Sequence, residues 1–227
     1  ITALHKEDKF WEKEKADNVI KKTKKQKEAK VDKVEIKQFN QMPPFPFDLT
    51  SLQVEAYRCF NISPKETLEI AQELYTSGFI SYPRTSSQQL PAAIGYERLL
   101  NELGKQKNYA ELSKKLLKKS KLAPNNGKKT DSAHPAIFPT GIAPEGLNER
   151  ENKIYDLIVK RFLSTFAEHA VRETILVDIN CNEEIFVAKG TRTIEKGWHI
   201  FYVPYVKLEE IELPNVKQDD KIKVKKI

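Results

Sequence analysis

The chain has 227 residues, of which 39% are hydrophobic and 31% charged, with only 8 Gly and 12 Pro; this suits one large domain or two small ones and excludes collagen-like or low-complexity sequence. No run approaches the roughly 18 apolar residues of a transmembrane helix, and the charged start Ile1-Thr2-Ala3-Leu4-His5-Lys6-Glu7-Asp8 is not a signal peptide. The net charge is +7, and two cysteines, Cys59 and Cys181, form neither a metal-ligand spacing nor a disulfide framework, so a reducing compartment is expected.

Residues 1–42 are polar, with Phe10-Trp11 interrupting a hydrophilic stretch and no initiator Met, so the chain reads as a fragment. Glu12 to Lys27 suits a surface helix, and Val31 to Ile36 alternates as a strand does. Pro43-Pro44-Phe45-Pro46 breaks both patterns and marks a boundary. Thr50 or Ser51 is then expected to cap a helix running to about Phe60. Ser63 caps the next, with Pro64 in the first position, Glu66 completing a capping box and Gly78 ending it. Two helices joined by a short turn match a helix-turn-helix, and equally a plain packed pair.

One or two further helices are expected over 88–122, and a long polar loop over 123–147. Asn148 with Glu151 forms a second capping pattern, and Ile154, Leu157, Ile158, Phe162 and Phe166 keep helical spacing, giving a helix over 149–167. From Arg172 the period shortens. Thr174–Ile179, Ile185–Ala188 and Trp198–Val203 read as strands, followed by a Lys-rich tail in which Asp219 and Asp220 are expected to pair with lysines.

The positive charge is local. Residues 105–129 hold nine Lys against one Glu, and residues 21–37 eight Lys against three acids. Such clusters suit phosphate backbones, and equally a solvated surface. Gly141 and Gly146 have phosphate-loop spacing, but Leu147-Asn148 stand where Lys and Ser or Thr are required. No HExxH, CxxC, GxGxxG or GxSxG motif occurs, and no Asp-x-Asp pair offers a magnesium site.

The segment Gly78-Phe79-Ile80-Ser81-Tyr82-Pro83-Arg84-Thr85-Ser86-Ser87 is the informative one. Pro83 pushes Tyr82 into extended backbone, where residues two apart share a side. Tyr82 and Arg84 would then present a phenol and a guanidinium together. A free tyrosine titrates near ~10 and is a poor nucleophile, and a neighbouring Arg favours the phenolate and can grip a phosphate. Ser81, Thr85, Ser86 and Ser87 add hydroxyl donors. Phosphoryl transfer to tyrosine needs these parts, although the chemistry alone also allows an ordinary buried tyrosine before a turn. His134, in Asp131-Ser132-Ala133-His134-Pro135, could contact phosphate or shuttle a proton, or be structural.

Taken together, these segments resemble the type IA DNA topoisomerases, in order over about residues 43–203. Pro46-Phe47-Asp48-Leu49-Thr50-Ser51-Leu52-Gln53 with Glu55-Ala56 resembles the family's PF-x-x-TSLQ-x-EA block. Thr67 with Ala71-Gln72, Leu74-Tyr75 and Gly78 resembles its T-x-x-x-AQ-x-LYE-x-G helix. Phe79 to Thr85 resembles GLITYxRTDS, whose Tyr is the nucleophile, and His134 to Thr140 resembles HEAIRPT or HPPIYPT. Tyr155-x-Leu157-Ile158 with Arg161-Phe162 resembles LYxLIxRRF, and Gly197-Trp198 a later GW pair. Phe138 stands where many bacterial members have Arg, as in the archaeal branch, and Ser86 replaces the common Asp of RTDS.

The resemblance implies an α+β fold. A helical domain carrying the tyrosine (43–171) would be inserted between segments of a β-rich arch domain (1–42 and 172–227). It implies that Tyr82 forms a 5′-phosphotyrosine link, that Arg84 holds the scissile phosphate and steadies the phenolate, and that His134 assists. Ser81, Thr85, Ser87, Thr50, Ser51, Gln53, Arg58 and Arg161 would contact nucleic acid. It further implies single-stranded and negatively supercoiled DNA as partners, a monomer, no membrane, and a cytoplasmic location on the chromosome. The parent would use Mg²⁺ bound by a Toprim domain, with no metal in this fragment, which alone would be inactive. Reverse gyrase shares these motifs. The rival from another class is a non-catalytic helix-turn-helix module over residues 50–77, which has no need of Tyr82; a helical scaffold is a third reading.

Overall fold

The computed structural model describes residues 1–227, which form an α+β chain of helices and one five-stranded sheet. It divides into two compact units. One comprises Ile1–Asn40, Val171–Glu195 and Leu208–Ile227; the other comprises Gln41–Ala170 and Lys196–Lys207.

The first unit is built on the sheet, ordered β1 (Leu4–His5), β4 (Glu184–Glu195), β3 (Ala170–Cys181), β2 (Glu28–Gln41) and β5 (Lys221–Lys223), with helix α1 (Lys13–Thr23) beside it. The β3–β4 hairpin turns on Asn182 and Glu183, both with positive φ (53° and 71°). Two successive positive φ values are what a tight two-residue hairpin needs, because they match the twist of the flanking strands. The register sets Val177 against Ala188. Ala29, Val31, Val177, Ile179, Cys181 and Ala188 make the small core. The expected strand at 185–188 continues to Glu195, past Gly190, because Thr191, Thr193 and Ile194 are β-branched and suit the extended chain. Part of the N-terminal Lys cluster is ion-paired, as in Lys22–Glu184 (2.7 Å) and Lys30–Asp219 (2.5 Å).

The second unit packs α2 (Leu49–Phe60), α3 (Pro64–Thr76), a short 3₁₀ turn (Ala92–Ile94), α4 (Tyr96–Gly104), α5 (Ala110–Leu117), α6 (Glu149–Thr165) and α7 (His199–Tyr202). Helix α6 starts on the expected capping box: Asn148 accepts from the Arg150 and Glu151 amides, and Glu151 reaches back. Its Ile154, Leu157, Ile158 and Phe162 are buried with Leu52, Ala71, Leu74 and Leu99 in one core.

Three local expectations are corrected. The cap of α2 is Asp48, not Thr50 or Ser51; Ser51 is the third helical residue, and its hydroxyl accepts from the Asp48 amide in a reciprocal box. Glu66 does not close a box on Ser63, because its carboxylate is paired with Arg150. Trp198–Val203 is not a strand. Trp198, His199, Phe201 and Tyr202 are buried while Ile200 and Val203 are exposed, a helical pattern that a short aromatic run does not distinguish from a strand. The Trp198 indole N–H donates to the Gln41 carbonyl at 3.0 Å. Gly197 precedes it at φ 45°, where a Cβ would lie 2.1 Å from the His169 carbonyl oxygen.

This segment is fastened to α2 and α6 by a half-buried polar cluster. The Tyr202 hydroxyl donates to Glu55 at 2.8 Å, and Arg58 grips the same carboxylate with two bonds of 2.7 and 2.8 Å. Arg58 also donates to the Tyr205 carbonyl, while Tyr109 and Tyr205 both donate to Asp156. Burial pushes the Glu55 carboxyl up, but hydrogen bonds from Arg58 and Tyr202 and the charges of Arg161 and Arg58 outweigh it, leaving it below its ordinary value. A carboxyl depressed in the folded state stabilises the fold above its unfolded titration and loses that contribution as pH falls through the folded one. Glu55→Gln is therefore expected to lose about 1–3 kcal/mol at pH 7. Urea unfolding should show that loss shrinking between about pH 5 and pH 3.

Candidate active site

Helix α3 stops at Thr76, and the chain reverses through Gly78 at φ 78°, a left-handed conformation that glycine adopts without strain. From Phe79 the backbone is extended and pairs with the segment carrying His134. The Ile80 and Pro139 positions bridge antiparallel, Ser81 N–H donates to the Phe138 carbonyl at 2.8 Å, and Thr140 N–H donates to the Phe79 carbonyl at 3.0 Å. The Ser81 hydroxyl accepts from the Phe138 amide at 2.9 Å and lies 3.3 Å from the Ala136 carbonyl. A second bridge, Phe47 to Ile137, ties the same segment to the entry of α2, and the Leu49 amide bonds the Thr85 carbonyl. Ile80, Ile137, Ala136 and Phe47 are buried beneath this pairing.

The period of two expected around Pro83 is present. Pro83, Thr85 and Ser87 point inward and Arg84 and Ser86 outward, with Tyr82 half-buried. The Tyr82 ring sits between two others. Its centroid is 4.4 Å from His134, tilted by 44°, and 5.3 Å from Tyr75, edge to face at 73°. Arg84 is exposed, with its Nε 3.4 Å from the Gln72 side-chain oxygen, so its remaining N–H groups face solvent. Asp131 accepts from the amides of Ala133 (2.9 Å) and His134 (3.1 Å) and lies 3.3 Å from the Ser86 hydroxyl. The Ala133 amide, then those of His134 and Ser86, hold its carboxyl below the ordinary range.

The structure thus brings Tyr82, Arg84, His134 and Ser81 into one place. The other expected contacts are placed differently. Thr85 and Ser87 are 3% and 2% exposed; the Thr85 hydroxyl accepts from the Ser87 amide and Ser87 from the Gln89 amide, so both brace the segment from inside. Thr50 is exposed on the first turn of α2, while the Ser51 hydroxyl is engaged in the cap. Gln53 donates to the Pro64 carbonyl at 2.9 Å. Arg58 is bound to Glu55, and Arg161 lies over the rings of Phe47 (4.1 Å) and Tyr202 (4.7 Å), so both arginines belong to the cluster around Glu55. Sequence reasoning missed a place at the site for Tyr75, named only as part of a helix motif, and Asp131, whose place two and three residues before the amides it binds is the signature of an Asx turn. The chain holds no group of three or more His, Cys, Asp or Glu residues able to bind a metal.

Comparison with known proteins fixes the family. A family profile described as DNA topoisomerase matches residues 2–227. The chain belongs to the type IA DNA topoisomerases. It is 46% identical over 226 residues to DNA topoisomerase 1 of Pyrococcus horikoshii, covering 99% of this chain and 33% of that protein. It is 47% identical over 229 residues to DNA topoisomerase 1 of Methanocaldococcus jannaschii, covering all of this chain and 30% of that one. The crystal structure of full-length topoisomerase I from Thermotoga maritima matches the fold with a TM-score of 0.68 at 24% identity, over 97% of this chain and 36% of that one. This topoisomerase chain therefore spans about a third of the length of these relatives.

The Ser81 hydroxyl is the hinge of the pairing in this topoisomerase. Ser81→Ala leaves the Phe138 amide without that acceptor and should lower stability by about 1–2 kcal/mol in urea unfolding. Ser81→Thr keeps the hydroxyl on a β-branched side chain suited to extended backbone and should stay within about 0.5 kcal/mol of wild type.

Proposed function

We propose that the full-length protein containing this chain relaxes DNA by transient cleavage of one strand, with Tyr82 as the nucleophile. The observation that carries this is the half-buried Tyr82 ring held between His134 and Tyr75, with an exposed Arg84 two residues on along extended backbone. The Tyr82 oxygen attacks the scissile phosphorus, the bond from phosphorus to the 3′-oxygen breaks, and the departing 3′-oxygen takes up a proton. A 5′-phosphotyrosine ester results. Religation is the reverse attack by the held 3′-hydroxyl after another strand has passed. The phosphodiester energy stays in the tyrosine ester, so the strand passage needs no nucleotide hydrolysis.

Arg84 supplies the charge-assisted donors for the scissile phosphate. His134 touches Tyr82 ring against ring, a placement that suits contact with the phosphate beside the phenol and proton transfer once substrate is bound. Ser81, Thr85 and Ser87 act by holding the segment in shape rather than by touching DNA. Thr50, exposed on the first turn of α2, would meet the strand, with Ser51 and Gln53 beside it in the same helix. The parent enzyme uses Mg²⁺ held by residues outside this chain, in a Toprim domain. Single-stranded and negatively supercoiled DNA are its partners, it acts as a monomer, and it works on the chromosome. No helix is long and apolar enough to cross a membrane.

The test uses the full-length protein with single-stranded DNA labelled at either end, and Mg²⁺. After denaturation, label from the 3′ side of the cut is expected to travel with the protein, and Tyr82→Phe should abolish this. An adduct that survives Tyr82→Phe rejects the assignment. Binding of duplex over single strands with no adduct at all would favour a non-catalytic helix-turn-helix module.

A further inference from the structure

We infer that Asp131 is a positioning residue that holds His134 against Tyr82. The inference rests on the reading of Tyr82 and His134 as the reacting centre. His134 lies midway along an irregular stretch running from Leu122 to Leu147, in which only Ile137 and Pro139 form bridges. Those bridges fix the backbone after His134; before it, backbone pairing ends at Lys129, whose carbonyl accepts from the Gln88 amide at 2.9 Å, leaving Thr130 to Ala133 without a backbone partner. Asp131 supplies the missing restraint. One carboxylate oxygen accepts from both the Ala133 and His134 amides, which sets the direction in which the chain enters His134. The other lies 3.3 Å from the Ser86 hydroxyl and 3.4 Å from the Ser86 amide, two residues beyond Arg84. The Ser86 hydroxyl also lies 3.4 Å from the Thr130 carbonyl.

One side chain therefore links the histidine turn to the tyrosine segment on the outward-facing row of Tyr82, Arg84 and Ser86. The Thr85 hydroxyl makes a parallel link on the inward side, 3.4 Å from the His134 carbonyl. Two ties on opposite sides of an extended strand resist rotation about it, which one tie does not. A carboxylate bound by several N–H and O–H donors is a stronger clamp than a neutral acceptor. Asp131 itself touches neither Tyr82 nor any reacting atom. Its effect would be felt as the geometry of the imidazole, and small misplacements of a catalytic group are costly in rate.

The experiment compares full-length wild type, Asp131→Ala and Asp131→Asn. Asparagine keeps an oxygen for the two amides; alanine keeps none. Three quantities are read: the rate of adduct formation on saturating labelled single strand, the affinity for that strand, and hydrogen exchange of the peptide spanning Ala133 and His134. Asp131→Ala should slow adduct formation about tenfold, change strand affinity less than about twofold and speed amide exchange about tenfold. Asp131→Asn should restore most of the rate and the protection. Wild-type cleavage by Asp131→Ala would overturn the inference while leaving Tyr82 standing. Equal impairment of both variants with amides still protected would overturn it too, since charge rather than position would then matter. If wild type itself forms no adduct, the reading of Tyr82 fails, and amide exchange alone decides whether Asp131 holds His134: faster exchange in Asp131→Ala supports it and unchanged exchange overturns it.

Discussion

The pairing of residues 79–81 with 137–140 is the constraint on which the rest of the site depends. It joins two stretches more than fifty residues apart in sequence. Closing such a loop is entropically unfavourable, though only weakly more so than closing a shorter one. The intervening chain offsets this by packing: α4 places Leu99, Leu100 and Leu103 in the same core as Ile80 and Ile137. The Ser81 hydroxyl completes the backbone hydrogen bonding where the ladder would otherwise leave the Phe138 amide open. Once this register is set, Tyr82 and His134 fall beside one another with no further adjustment, and Tyr75 closes the other side because Gly78 turns the chain back over the end of α3.

The same alternation divides the work between side chains. Inward hydroxyls are engaged by neighbouring amides, while the outward Arg84 is exposed. Thr85 and Ser87 hold their neighbours' amides, whereas Arg84 has one nitrogen near Gln72 and the others facing solvent. A similar division separates the arginines. Arg58 and Arg161 surround Glu55 and brace α7 against α2 and α6, so their charge serves the scaffold. Arg84 is the arginine of this group whose charge faces solvent at the tyrosine. That difference follows from burial and partners, and residue type alone does not reveal it.

Much of the fold was legible in the sequence where local signals agreed with tertiary packing. Helix α6 has a cap, a box and a helical stripe that all name the same residues, and strands β3 and β4 show β-branched alternation. The Tyr82 segment was legible because Pro83 imposes extended backbone and period two follows from it. Helix α7 was not, because Trp198 to Val203 is apolar and aromatic throughout, and its helicity is decided by which faces meet α6. The Asp48 cap was hidden because Asp, Thr and Ser all stand near the start of α2, and burial of Asp48 beside Lys129 selects one of them. Arg161 matched a family motif and Arg58 was expected at nucleic acid, yet both lie in the polar cluster, because Tyr202 and Tyr205 reach them from a distant part of the chain.

The central claim is that Tyr82, and not its edge-on neighbour Tyr75, carries the DNA. Trypsin cuts after Lys65 and Arg84, so a single peptide, residues 66–84, holds both Tyr75 and Tyr82. The most direct measurement is tandem mass spectrometry of that peptide from denatured, nuclease-trimmed covalent complex of the full-length protein. A nucleotide remnant on Tyr82 is the predicted result. A remnant on Tyr75, or an unmodified 66–84 peptide with the remnant elsewhere, would contradict the account.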